Sequence, residues 1–206
     1  MQDSPRRDTR IALDLALTVR HDGRGGVVDD LADVAGLGAW VRAHPDTVPD
    51  AERFAADAPA LAAVREVRSA ARALFARAVR PGEPSPADAA RLLPVPEALR
   101  CLNTAAARTP IVPVLDWPDA DADADADAPV VRARPAAGAR PDLAAALAQA
   151  VIGFLTGPDR QRLRACHAPR CVRYFLKEHP RQEWCRPSCG NRARVARHHE
   201  RQKRTA

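Results

Sequence analysis

Four cysteines near the C-terminus constrain this chain more than any other feature. They form two close pairs, Cys166 with Cys171 and Cys185 with Cys189, and thirteen residues separate the pairs. Two short cysteine pairs at such a separation are typical of a tetrahedral zinc site with four thiolate ligands. The pattern therefore predicts a Zn²⁺ ion bound by all four cysteines, in a segment too poor in aromatic residues to fold around an apolar core alone.

Nearby histidines are the alternative ligands for this metal. His167 lies between the cysteines of the first pair, His179 lies between the pairs, and His198 and His199 follow the second pair. Each could replace a cysteine, but we expect the all-cysteine set. A catalytic zinc ion would need an open position and a general base, and the sequence contains no HExxH or deaminase-type signature and no CxxC. We therefore predict a structural metal and no enzymatic activity.

Positive charge is concentrated in the same part of the chain. The residues from Pro158 onward include 14 Lys/Arg and 4 Asp/Glu, whereas the 157 residues before them include 18 and 22. Beyond the last cysteine, four arginines follow at intervals of three, four and three residues, which places them on one face of a helix: Arg194, Arg197, Arg201 and Arg204. Such a face fits DNA phosphates or guanine edges. The predicted DNA contacts are Arg192, Arg194, Arg197, Arg201 and Arg204.

Two alternatives to DNA contact remain open at this point. The arginines could form a solvated charged face without a partner. The zinc module could also be a protein-interaction surface that does not touch DNA, with Tyr174 and Trp184 as anchors for the partner. A packing role against the metal site is another interpretation of these two aromatic residues, with Trp184 shielding the sulfurs. Trp184 could instead stack on a nucleic-acid base.

The rest of the chain predicts packed helices. Of its 206 residues, 46% are hydrophobic but 4% are aromatic, so the core must consist mainly of Leu, Val and Ala. This composition favours helices over a β-sandwich. Apolar periodicity predicts a short core element at 11–19, helices at 30–44, 58–80, 87–93, 96–108 and 142–156, and a strand pair at 111–117 and 130–134.

The predicted fold class is mainly α, in two parts. A helical domain with a short β-hairpin covers 1–156, and a small four-cysteine zinc-finger module with a short strand and a basic helix covers 157–206. An acidic loop at 116–128, built on an Asp-Ala repeat, forms the tip of the hairpin. On the helix at 58–80, the arginines off the apolar stripe are predicted to face solvent; these are Arg65, Arg68, Arg72 and Arg77.

Cysteine usage also bears on the cellular compartment. The fifth cysteine, Cys101, is far from the others in the sequence, and we expect it to be a small buried residue of a helix. An odd number of cysteines, without an apolar signal segment, argues against a secreted disulfide scaffold. No apolar run approaches the length of a membrane span. We therefore expect a cytoplasmic protein.

These motifs resemble a known family. The sequence Cys-Gly-Asn-Arg at 189–192 matches the signature of the CGNR zinc finger, with Trp184 and Cys185 before it and an arginine-rich run behind it. The stretches at 13–19 and 37–41 are similar to the start of an ABATE-type domain. The resemblance implies a bacterial stress-induced transcription regulator, with a mostly helical domain followed by a zinc finger that binds DNA. In such a protein we expect the helical domain to sense an effector or to form a homodimer.

Overall fold

The computed structural model describes residues 3–22, 26–45, 48, 51–79, 83, 86–89, 91–117 and 129–205. The Asp-Ala repeat at 119–128, and with it the predicted loop tip, lies outside the described residues. Pro118 of that loop also lies outside them, and the remaining two residues, Asp116 and Trp117, lie at the end of a strand. None of the helices in the described part of the chain is long and apolar enough to cross a membrane.

Helices account for most of the described chain, which confirms the mainly α fold class. The first part contains α1 (Asp3–Leu17), α2 (Val34–Arg42), α3 (Ala58–Ala78), α4 (Pro86–Ala89), α5 (Val95–Ala107) and α6 (Leu143–Thr156). Two antiparallel hairpins accompany them, β1 (Val19–His21) with β2 (Val27–Asp29) and β3 (Ile111–Asp116) with β4 (Val130–Pro135). A 3-10 helix (Pro158–Arg162) then leads to a third hairpin, β5 (Leu163–Ala165) with β6 (Tyr174–Leu176), and to α7 (Pro187–Thr205).

Aspartate caps set where three of the helices begin. The carboxylate of Asp57 accepts the N–H of Ala60 at 2.7 Å at the start of α3, and Asp33 and Asp142 do the same for α2 and α6. Each cap satisfies a backbone donor that has no partner inside the helix. All the helices predicted from the sequence are present in the structure, and their ends lie within a few residues of the predicted ends.

The core is centred on α3, which packs against α1, α5 and α6. Its side chain Phe75 is fully buried and meets the ring of Phe154 edge to face, with 5.1 Å between centroids. The ring of Tyr174, from β6, makes a similar contact with Phe75 at 5.6 Å. Leu163 and Ala165 of β5 join the same apolar cluster. The hairpin that precedes the second cysteine pair is therefore packed into the helical core. The predicted boundary between the two domains, after residue 156, stays a prediction.

The N-terminal segment differs from its expected form in two ways. The apolar run at 11–19 forms the second half of the longer helix α1 and then enters strand β1. The hairpin of β1 and β2 was not predicted, because three-residue strands are too short to display an alternating pattern. The segment between these strands is rich in glycine, and its residues 23–25 lie outside the described part.

The prediction that the α3 arginines face solvent is wrong for Arg68 and Arg72. Both are buried, and each is paired with an aspartate, Asp29 and Asp88 respectively. The reason is visible in the helical spacing, since positions 64, 68, 72 and 75 follow at intervals of four, four and three and share one face with the apolar stripe. Of the other two arginines, Arg77 is exposed, whereas Arg65 is half-buried and donates to the carbonyls of Leu31 and Ala32.

Arg72 connects three parts of the fold. Its guanidinium lies 2.7 Å from the carboxylate of Asp88, and their side chains are 6% and 2% exposed. The same group donates to the carbonyl of Ala16 at the end of α1 and to that of Val172, just before β6, at 2.7 Å for Val172. Tyr174 closes the network, because its hydroxyl donates to the Asp88 carboxylate at 3.4 Å. Burial and the neighbouring Asp88 charge raise the pKa of Tyr174, so the phenol remains a donor.

We predict that Asp88→Ala is strongly destabilising. It leaves the Arg72 guanidinium buried without its counter-charge, which costs about 3–5 kcal/mol of unfolding free energy. The matched control is Asp30→Ala, which removes an exposed ion pair with Arg20 and costs about 0.2–1 kcal/mol. Urea unfolding of the zinc-loaded protein, followed by circular dichroism, measures both. Equal losses in the two variants would contradict the importance assigned to the buried pair.

Candidate metal centre and basic helix

The structure brings the four predicted cysteines together. All four Sγ atoms lie within 4.8 Å of one another. The Sγ of Cys171 is 3.8 Å from that of Cys185 and 3.9 Å from that of Cys189, and Cys185 and Cys189 are 3.6 Å apart. Four sulfurs around a tetrahedral zinc ion, each at about 2.3 Å, would be about 3.8 Å apart. The donor set therefore fits zinc, and no disulfide joins the described cysteines.

Histidine takes no part in this cluster. Among the described residues, the group of side chains able to hold a metal consists of the four cysteines. The alternative ligands are exposed instead; these are His167, His179, His198 and His199. A closed set of four thiolates is the arrangement of structural zinc sites, which have no open position for a substrate.

A tight turn shapes the first cysteine pair. The N–H of Cys171 donates to the carbonyl of Ala168 at 2.9 Å, with Pro169 and Arg170 between them. Arg170 has a φ of 63°, in the left-handed region that favours glycine. Proline followed by a positive φ is the pattern of a type II turn. This turn returns the chain so that Cys171 reaches the sulfur of Cys166.

The second pair is set by the start of α7. Cys185 lies two residues before the helix, and Cys189 lies in its first turn, where its N–H donates to the carbonyl of Arg186 at 3.0 Å. Gly190 permits a close approach at this point, because an added Cβ would lie 3.0 Å from Cδ1 of Trp184. The indole packs against the cysteine cluster. Trp184 thus occupies the shielding position that the sequence indicates.

Hydrogen bonds between the sulfurs couple the protonation of the clustered thiols. Hydrogen bonds from Cys171 and Cys185 lower the pKa of Cys166 to about 2. The same bonds raise the pKa of Cys171 to about 12 and also raise that of Cys185, because they hold protons next to the Cys166 thiolate. Four thiolates at this distance repel one another. A bound divalent cation would remove that repulsion, which is why the cluster favours a metal.

The side chain of Arg192 contacts the cysteine cluster and does not extend into solvent from the outer side of α7. Its Nη2 donates to the Sγ of Cys189 at 3.1 Å, and its Nη1 lies 3.2 Å from Nδ1 of His21 at the end of β1. The positive charge offsets that of the thiolates, and the second contact ties α7 to the helical part. Sequence reasoning assigned Arg192 to DNA and missed this contact, since no local pattern relates it to a residue 171 positions away.

The other predicted arginines lie on the exposed part of α7. From Arg197 to Arg204 every described residue of the helix is exposed, and Arg194 is exposed as well. Ala193 is buried and Ala196 is half-buried, so the small residues face the body of the protein. The outer turns of α7 therefore carry their arginines into solvent, beyond the metal centre.

Comparison with protein families identifies both parts of the chain. A family model named ABATE and described as "Putative stress-induced transcription regulator" matches residues 9–158. The chain belongs to the ABATE family. A second model, the CGNR zinc finger, matches residues 162–202 of this ABATE protein, which confirms the resemblance in both parts. No curated protein matches the chain.

The geometry of this ABATE protein accounts for each position of the CGNR signature. Cys189 contributes a sulfur, Gly190 admits the Trp184 indole, and Arg192 donates to that sulfur. The remaining member, Asn191, accepts a hydrogen bond from the guanidinium of Arg194 through Oδ1. With its four cysteines positioned to bind a metal ion, the finger is consistent with zinc as the cofactor.

We predict that the ABATE protein binds one zinc ion per chain and that Cys189→Ser weakens this binding by more than about 100-fold, beyond the effect of losing an outer-sphere partner. The matched control is Cys101→Ser, which alters a half-buried thiol on α5 and leaves zinc affinity unchanged. Competition with a chromophoric chelator measures both affinities. Equal loss of zinc in the two variants would contradict the assigned ligand set.

Proposed function

We propose that this ABATE protein is a transcription regulator that binds DNA through the exposed arginines of α7. The observation that carries the proposal is a row of solvent-exposed guanidinium groups on a helix whose first turn belongs to a four-cysteine centre. A metal-fixed helix base holds the arginines in one orientation, so less conformational entropy is lost when they contact a ligand. The row from Arg194 to Arg204 spans about 15 Å along the helix.

Charge distribution supports DNA over a neutral partner. The residues from 158 onward contain 14 Lys/Arg and 4 Asp/Glu, and the rest of the chain has a slight acidic excess. A polyanion would therefore approach this end of the molecule, where contacts to phosphates release counterions and give affinity that depends on salt. Base edges in the major groove would accept hydrogen bonds from arginines of the same helix.

The alternative of a protein-docking zinc module has less support. Tyr174, one of the two proposed anchors, is 1% exposed and packs on Phe75, so it offers no surface to a partner. Trp184, the other anchor, packs on the cysteine cluster. Both aromatic side chains already have partners in the fold. Trp184 has the packing role beside the sulfurs, whereas Tyr174 packs in the helical core and not against the metal site.

The proposal includes a structural role for zinc and no catalytic activity. Cys166, Cys171, Cys185 and Cys189 would hold the ion, and four thiolates would leave no coordination position for a substrate. Zinc in this place would supply folding energy to the finger. A reducing compartment such as the cytoplasm keeps such thiols available to the metal.

We predict salt-dependent binding to duplex DNA that weakens when α7 arginines are removed. Arg197→Ala and Arg204→Ala should each lower the slope of log K against log salt by about 0.9, the loss of one phosphate contact. Arg77→Ala is the control, since Arg77 is exposed on α3 and far from the basic helix in sequence. Fluorescence anisotropy titrations of genomic fragments measure the slopes. Absent or salt-independent binding by the zinc-loaded protein would refute the proposal.

We also predict that the Asp-Ala repeat competes with DNA for the arginines. Deleting residues 119–128 removes five aspartates, so DNA affinity should rise several-fold at low salt and change little at high salt. Replacing the five aspartates with asparagine keeps the length of the segment and should give the same gain. Titrations with DNA at a low and a high salt concentration measure the affinity of the wild-type protein and of both variants. Unchanged affinity would leave the repeat without a role in binding.

A further inference from the structure

The hairpin of β3 and β4 has one entirely apolar face. The register pairs Ile111 with Pro135, Pro113 with Ala133, and Leu115 with Val131. Because side chains of a strand alternate between faces, these three pairs lie on the same side of the two-stranded sheet. The opposite side carries the other three pairs, Val112 with Arg134, Val114 with Arg132 and Asp116 with Val130, so each of its pairs combines a charged residue with a valine.

The apolar face is uncovered within the described chain. All six of its residues are exposed, and Ile111, Leu115 and Val131 are 47%, 65% and 71% exposed. Trp117 continues the alternation beyond Leu115 and is 61% exposed. A two-stranded hairpin is at best marginally stable without cover on one face. An exposed apolar surface on an extended arm is typical of an interaction site.

The nearest undescribed segment of the chain is chemically unsuited to cover this face. Residues 118–128 directly follow Trp117 and contain five aspartates, with alanine and proline as the other residues. Packing them on the apolar face would take carboxylates out of water without partners. A nucleic acid is unsuited for a similar reason, since the face offers no positive charge to a phosphate. The occupant must be apolar and neutral over this area, and the face itself has that character.

An apolar groove continues the face at the base of the arm. It has a volume of about 580 Å³ and is lined in part by Pro135, Val48, Phe54, Leu143 and Ala146. Pro135 belongs both to the face and to the groove, so the two surfaces are continuous. Leu115 and Trp117 lie toward the other end of the arm.

We propose that the arm pairs with the same arm of a second copy of this chain. In an antiparallel arrangement about a two-fold axis through the Pro113–Ala133 pair, the Leu115 end of one arm lies over the Ile111 end of the other. Trp117 of each copy then reaches the apolar groove beside the other copy's arm. This contact is self-complementary, as a two-fold interface must be, and it buries no charge from the paired faces.

The area of the two paired arm faces is small for a stable dimer. Six residues of β3 beside six of β4 cover about 20 Å by 10 Å, or about 200 Å² per copy. A standard interface buries about 800 Å² per partner, so the arms alone supply a quarter of that area and the groove must supply more. We therefore expect a weak dimer that depends on Trp117 filling the groove, and its dissociation constant is read from a concentration series. The dimer is measured without DNA, so its test is independent of the proposed DNA binding.

Sedimentation of the zinc-loaded full chain from about 1 to 100 µM tests the proposal. The mass should rise from 22.2 kDa toward twice that value as concentration increases. Leu115→Glu and its register partner Val131→Glu should each raise the dissociation constant at least tenfold, because each places a charge on the paired face. Val112→Glu is the matched control; it adds the same charge on the opposite face, across from Arg134, and should leave the dimer intact.

Zinc content and far-UV circular dichroism of every variant show that the body remains folded. A wild-type protein that stays at 22.2 kDa throughout the range would overturn the proposal and leave the face to a different protein. Equal dissociation of the Val112→Glu and Leu115→Glu proteins would overturn it too, since the effect would then come from charge on the arm and not from the apolar face.

Discussion

The buried guanidinium of Arg72 is the contact on which the connection between the helices and the finger depends. It binds the carboxylate of Asp88 and the carbonyls of Ala16 and Val172, three groups that are distant in the sequence. A charge this deeply buried is tolerated because each of these oxygens accepts a hydrogen bond from it. These bonds hold the hairpin of β5 and β6 against α3, and Tyr174 packs in the core beside Phe75. The hairpin of β5 and β6, which Cys166 directly follows, is therefore held in place by the helical core.

The metal centre extends this connection to α7. Cys166 directly follows β5, and Cys189 lies in the first turn of α7. An ion bound by both would therefore join the hairpin to the helix. Arg192 adds a second connection, because it contacts both the sulfur of Cys189 and His21 of the first hairpin. This contact places the start of α7 directly beside the hairpin of β1 and β2. The proposed DNA-binding face is therefore coupled to the ABATE domain by packing and not by a flexible linker.

Much of the architecture was predictable from local signals. Apolar periodicity and aspartate caps indicate α2, α3 and α6, and the cysteine spacing indicates the metal cluster. The hairpin of β1 and β2 was not predictable, because three-residue strands carry no periodicity. Burial of Arg68 and Arg72 was also missed, since an arginine beside an apolar stripe is exposed or buried depending on whether distant acceptors meet it. Composition cannot show that Asp29 and Asp88 provide those acceptors.

The sequence by itself determined the helical class, the four thiol ligands and the row of arginines on α7, because each of these depends on residue type and short-range spacing. The tertiary structure decided which arginines serve which purpose. Arg72 and Arg192 became internal counter-charges, for Asp88 and for the thiolates, while Arg197 and Arg204 remained in solvent. It also decided that the described residues leave one apolar face of the β3–β4 arm uncovered. These outcomes depend on partners far away along the chain, and such partners are brought together when the whole chain folds.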